Sequence, residues 1–74
     1  MGIREDKKIN QEIANKIKQA REKSGLTQIQ LAKKAGLDSN SYAKIERGES
    51  KPFGVTLAKI IKALGAKSSD ILPD

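Results

Sequence analysis

Apolar residues recur along the chain in steps of three and four, never in sustained alternation, so the pattern predicts helices and no strand. Ile9, Ile13, Ile17 and Ala20 make one stripe of a first helix, from about Lys8 to Lys23. Glu12, Lys16, Lys18, Arg21 and Glu22 occupy its other faces. Residues 1–9 read as an N-terminal extension, frayed or continuing this helix, ahead of a single domain over residues 10–74. Leu31, Ala32 and Ala35 predict a second buried stripe. Thr27 and Gln30 have capping-box spacing, in which each side chain satisfies a backbone N–H of the other residue, and Leu26 and Leu31 have the spacing of a hydrophobic staple. A third helix opens on Asp38 as N-cap, runs to about Arg47 and turns Tyr42 and Ile45 inward. A fourth covers about Val55 to Leu64, with Leu57, Ile60, Ile61 and Leu64 apolar. A last turn, about Ser68 to Leu72, takes Ser68 or Ser69 as its cap and ends at Pro73; Ile71 and Leu72 there close the core or form a seam with a second copy.

Composition narrows the class. With 74 residues the chain forms one small domain. It has no Cys and no His, which removes disulfides, thiolate metal sites and the usual neutral-pH base. Tyr42 and Phe53 are the two aromatic residues, too few for a base-stacking platform. The formal charge is +6, and residues 1–37 carry +5 of it (9 basic against 4 acidic). Such a surplus fits a polyanionic partner, and equally a well-solvated small protein. No apolar run approaches the ~18–20 residues of a membrane span, and the charged start has no signal-peptide core. No Gly-rich phosphate loop, zinc spacing or nucleophile–base arrangement is present, so neither an enzyme nor a cofactor or metal site is expected.

The informative stretch is Thr27 to Gly48. Only Gly36, Leu37 and Asp38 separate its two helices, and a turn that short makes them cross steeply. Ser39, Asn40, Ser41 and Lys44 are left on the outer face of the second of the pair. A short polar helix after a tight turn has the shape that enters the major groove of duplex DNA. Asn40 suits adenine, Ser39 and Ser41 suit several bases, and Lys44 suits guanine or a phosphate. Thr27, Gln28 and the free N–H groups beside them form a candidate phosphate seat, and Arg47 and Lys51 are further candidate phosphate contacts. Each also has a structural reading: Ser39–Ser41 as a capped first turn, Gln28 as a plain first helical residue, Arg47 and Lys51 as solvated cations.

At these residues the chain resembles the phage-repressor and Cro-type helix-turn-helix proteins, the XRE family. The matching stretches are Ile17 to Gln28, Gln30 to Gly36, Ala43 to Glu49 and Thr56 to Gly65. Gly-Leu-Thr-Gln, Leu-Ala, Ile-Glu-Arg-Gly and Ala-Leu-Gly are specific at these spacings only in combination. The resemblance implies an all-α, five-helix, lambda-repressor-like domain that binds operator DNA, commonly as a homodimer. It implies that Gln28 contacts phosphate or base, that Ser39, Asn40 and Lys44 read the groove with Ser41 beside them, and that Arg21 and Glu46 form a structural ion pair. Ile29, Ala20, Ser39 and Phe53-Gly54-Val55 depart from the usual pattern. Gly54 is costly inside a helix, which predicts a late start for the fourth helix with Phe53 filling the space. The expected function is a sequence-specific, double-stranded DNA-binding transcriptional regulator, cytoplasmic and nucleoid-associated when bound. The alternative is a protein-interaction module of the same fold, bridging or antitoxin-like, using Ile3, Ile29 or the Ile71-Leu72 end to hold a protein partner.

Overall fold

Five helices and their turns account for residues 2–72, the part of the chain that the computed structural model describes, with side chains described from Lys7 onward. They are α1 (Gly2–Lys23), α2 (Gln28–Ala35), α3 (Ser39–Glu46), α4 (Gly54–Leu64) and α5 (Ser68–Ile71). No strand occurs among the described residues, so the fold is all-α. Each helix contributes one large, fully buried side chain: Ile17, Leu31, Tyr42, Ile60 and Ile71. Burying an apolar side chain of this size contributes about 1.5–3 kcal/mol, which is how a chain this short sustains a core. Ala32, Ala35, Ile45 and Ala63 fill the space between them. Small residues there let α2 pack closely on both α3 and α4, while α1 backs α3, α4 and α5.

The caps follow the sequence closely at α2 and α3. Thr27 Oγ1 accepts from Gln30 N–H at 3.1 Å, and Gln30 Oε1 accepts from Thr27 N–H at 2.9 Å, completing the capping box. Gly36 is left-handed (φ 72°), and Leu37 N–H reaches back to Ala32 O at 2.8 Å, which turns the chain sharply into α3. Asp38 Oδ2 accepts from Ser41 N–H at 3.1 Å and opens α3.

Several expectations need correction. Ile9 is 44% exposed; its place on the inner stripe of α1 is taken by Asn10, followed by Ala14 and Ile17. Neither Ser68 nor Ser69 caps α5. Lys67 is its N-cap, and Asp70 Oδ2 accepts the Lys67 N–H at 3.0 Å. Lysine has no acceptor to return the bond, so only half of a capping box forms. Helix α4 begins at Gly54, which tolerates its positive φ of 39°, and Phe53 fills no space: it is 73% exposed, and Val55 71%. Ile71 is fully buried and closes the monomer core, so it is not a docking residue. The Ile3 side chain and Pro73 lie outside the described residues.

Candidate nucleic-acid interface

The site is organised around a carboxylate. Glu46, in the last turn of α3, is buried, and its two oxygens receive four bonds. Arg21 of α1 donates from Nε to Oε2 at 2.6 Å and from Nη2 to Oε1 at 3.2 Å. Gln28 at the start of α2 donates from Nε2 to Oε1 at 3.0 Å. The Tyr42 hydroxyl, one turn earlier on α3, donates to Oε2. Arg21 Nη1 also holds Leu26 O at 2.8 Å, fixing the loop that leads into α2. One acidic group thereby ties α1, α2 and α3 together.

Ionisation at this hub follows from its partners. Burial pushes the Glu46 carboxyl up, but the bonds from Arg21, Tyr42 and Gln28 outweigh it and hold the group below the usual carboxylate range. The bond to Glu46 raises Arg21 against its own desolvation. Burial, then the bond to the Glu46 carboxylate, pushes the Tyr42 phenol up. The predicted Arg21–Glu46 pair is thus present. Two of its companions, Tyr42 and Gln28, were not foreseen as such: Tyr42 reads as a core residue until its hydroxyl is followed.

On the outer side of α3, Asn40, Lys44 and Arg47 stand at i, i+4 and i+7 and share one face, opposite Tyr42, Ile45 and Glu46. Asn40 and Lys44 are exposed, and neither side chain is bonded to the protein among the described residues. Ser39 is half-buried, while Ser41 is exposed and its hydroxyl lies 3.5 Å from Asp38 Oδ2. Arg47 is paired with Glu49, Nε to Oε2 at 2.9 Å, with both side chains more than half exposed. That pairing raises Arg47 and lowers Glu49. Lys51 is exposed in the loop that follows. Thr27 is exposed, with its hydroxyl oxygen committed to the α2 cap.

The two helix starts differ in electrostatics. At α3 the N-cap is itself a carboxylate, Asp38, which accepts from the Ser41 N–H of the first turn. The first turn of α2 holds no acidic residue, and the N–H groups of Gln28 and Ile29 have no protein acceptor among the described residues. An anion is therefore favoured at α2 and repelled at α3.

A residue that sequence patterning missed is Asn10. Its Nδ2 donates to Gly48 O at 2.9 Å, joining α1 to the exit of α3. Gly48 is left-handed (φ 77°), and a Cβ there would run into the Gln11 amide oxygen. The available signal was an Asn set one residue off the isoleucine stripe.

This arrangement, two short helices crossed at a glycine turn and pinned from behind by an Arg–Glu pair, defines a class, and sequence comparison agrees. The family profile described as "Helix-turn-helix" matches residues 17–72. The chain belongs to the helix-turn-helix family, of the phage-repressor and Cro (XRE) type, whose members are non-enzymatic DNA-binding proteins. It is 40% identical over 60 residues to the "Immunity repressor protein" of Bacillus phage phi105, a match that covers 81% of this chain. The chain spans 42% of the length of that relative. No solved structure matches the chain significantly. Among the described residues no helix is long and apolar enough to cross a membrane.

Proposed function

We propose that the protein is a sequence-specific regulator of transcription that lays α3 in the major groove of double-stranded DNA. The observation that carries this reading is the face of α3 bearing Asn40 and Lys44, exposed and unengaged on a helix whose back is fixed by Glu46. Asn40 reads adenine, Lys44 a guanine or the neighbouring phosphate, and Ser39 and Ser41 stand beside them. Gln28 keeps one amide N–H on Glu46 and turns its second N–H, with the free backbone donors of α2, to a phosphate. Thr27 donates its hydroxyl proton to the same strand, and Lys51 meets a phosphate from the loop. Arg47 does so after exchanging Glu49 for it. In a dimer, two copies of α3 sit ~34 Å apart and read half-sites one helical turn apart. The similarity to a phage immunity repressor favours repression as the outcome.

Selection of bound sequences from random duplexes tests this reading. One enriched, near-palindromic motif is expected. On it, Asn40→Ala loses about 1–3 kcal/mol of affinity that is specific to one base pair, whereas Gln28→Ala weakens every duplex alike. Equal losses on selected and random DNA for both variants would remove Asn40 from the reading face. A second reading, a protein-docking module, has one observation in its favour: Ile29 is 68% exposed and borders a shallow hollow with Leu37 and Ser39. Failure to enrich any motif would favour it.

A further inference from the structure

We propose that the uncovered face of α4, together with the end of α2 beside it, docks a short acidic segment of a partner protein that carries an apolar side chain next to its carboxylates. The surface uses none of the residues assigned to DNA above, and the inference stands independently of how α3 meets a duplex.

Val55, Ala58, Lys59 and Lys62 stand at i, i+3, i+4 and i+7 of α4 and are all exposed, while Ile60 and Ala63 turn inward. This face is sorted by chemistry along its length. Its start is apolar, with Val55 71% exposed and Phe53, just before the helix, 73% exposed. Its end is cationic. Solvation accounts for lysines, but not for leaving the one Phe of the chain and a Val two residues on uncovered.

At the cationic end, Lys34 of α2 joins Lys59 and Lys62 around a hollow of about 360 Å³ that Ala35 and Ala63 also line. Neither α2 nor α4 contains an acidic residue, and none of the three lysines is paired with a carboxylate among the described residues. Lys34 and Lys62 lie in the last turns of their helices, where a cation suits the helix dipole; Lys59 is mid-helix and has no such reason. Three like charges around one hollow repel each other, and carboxylates seated among them relieve the repulsion. Only lysine and alanine line the hollow, so it has no ring to stack on a base and no acceptor to select one. An acidic peptide segment meets both ends of the face: its carboxylates match the lysines, and an apolar neighbour covers Val55 and Phe53. A second copy supplies no such segment among the described residues. Its Asp38 and Asp70 are engaged in caps and its Glu46 and Glu49 in ion pairs, while Glu12 and Glu22 lie about 15 Å apart on α1.

The test is fluorescence anisotropy of the full chain with a short labelled peptide that sets a Leu beside a run of Glu, and with a control peptide that has Gln for each Glu. The acidic peptide should bind about tenfold more tightly than the control. Lys34→Gln/Lys59→Gln/Lys62→Gln should weaken the acidic peptide by about the same factor, with the thermal midpoint and DNA binding unchanged. Val55→Ser should weaken both peptides about fivefold, at low and high salt alike. Lys44→Gln/Lys51→Gln, which removes charge from the α3 side, should leave the acidic peptide at wild-type affinity. No preference for the acidic peptide, equal losses in the two lysine variants, or displacement of the peptide by duplex DNA would overturn the proposal. So would loss of self-association in the triple variant without peptide, measured by sedimentation, because the occupant would then be a second copy.

Discussion

Arg21→Met removes the cation from a carboxylate that water barely reaches. The Glu46 side chain is 1% exposed and that of Arg21 12%, so the pair is desolvated and little screened. Deleting one partner of such a pair typically costs about 3–5 kcal/mol, because the remaining charge is left buried. Tyr42 and Gln28 still donate to Glu46 in the variant, which favours the lower end; Leu26 O loses its donor, which adds about 1 kcal/mol. For a domain of 74 residues, total stability is about 4–11 kcal/mol, so the loss is a large share of it. The pH dependence identifies the cause. In the wild type Glu46 lies below its ordinary value of 4.5, so its contribution is complete above that pH and is lost as pH falls through the folded pKa. In the variant burial dominates, and the folded pKa rises above the ordinary value. The contribution is then complete in acid and is lost as pH rises through the folded pKa. The gap between the two proteins should be widest near neutrality and narrow towards about pH 4. Urea denaturation at a series of pH values measures it. A gap that stays constant with pH, or a loss under about 1 kcal/mol at neutrality, would refute the hub as described.

Tyr42→Phe removes a buried hydroxyl donor and should cost about 1–2 kcal/mol at neutral pH. The raised Tyr42 phenol contributes stability that is complete below about pH 10 and lost as pH rises beyond it, so alkaline melting should be shallower in the Phe variant. Gly48→Ala places a side chain at φ 77° against Gln11 and should cost about 1–2 kcal/mol in a thermal melt, with Gln11→Ala restoring only the steric part. Glu49→Gln releases Arg47 and should strengthen binding to all duplexes at low salt, an effect that disappears at high salt; no change in gel shift would remove Arg47 from the phosphate contacts.

Local chemistry alone was enough for much of this protein. The Thr27–Gln30 box, the Asp38 cap and the Gly36 turn each depend on residues three to five apart, so their partners are written close by in the chain. The outer face of α3 was legible for a related reason: a helix whose apolar positions are spoken for leaves the others outside. Periodicity slipped at one position of α1: Ile13, Ile17 and Ala20 face the core as the stripe predicts, but Ile9 is exposed and the bundle covers Asn10 beside it. Which side of a helix is buried depends on where the other helices lie, and hydrophobicity cannot anticipate a polar group that finds a carbonyl 38 residues away. The hub was half legible in the same way. Family resemblance paired Arg21 with Glu46, but only the crossing of α1, α2 and α3 brings Gln28 and the Tyr42 hydroxyl onto the same carboxylate. Charge took its meaning there as well. The sequence counts Arg47 among the cations, while the turn that follows α3 sets it against Glu49, two residues on, and leaves Lys44 and Asn40 unengaged on the outer face, because the conformation of that turn, and not the spacing alone, decides which side chains meet.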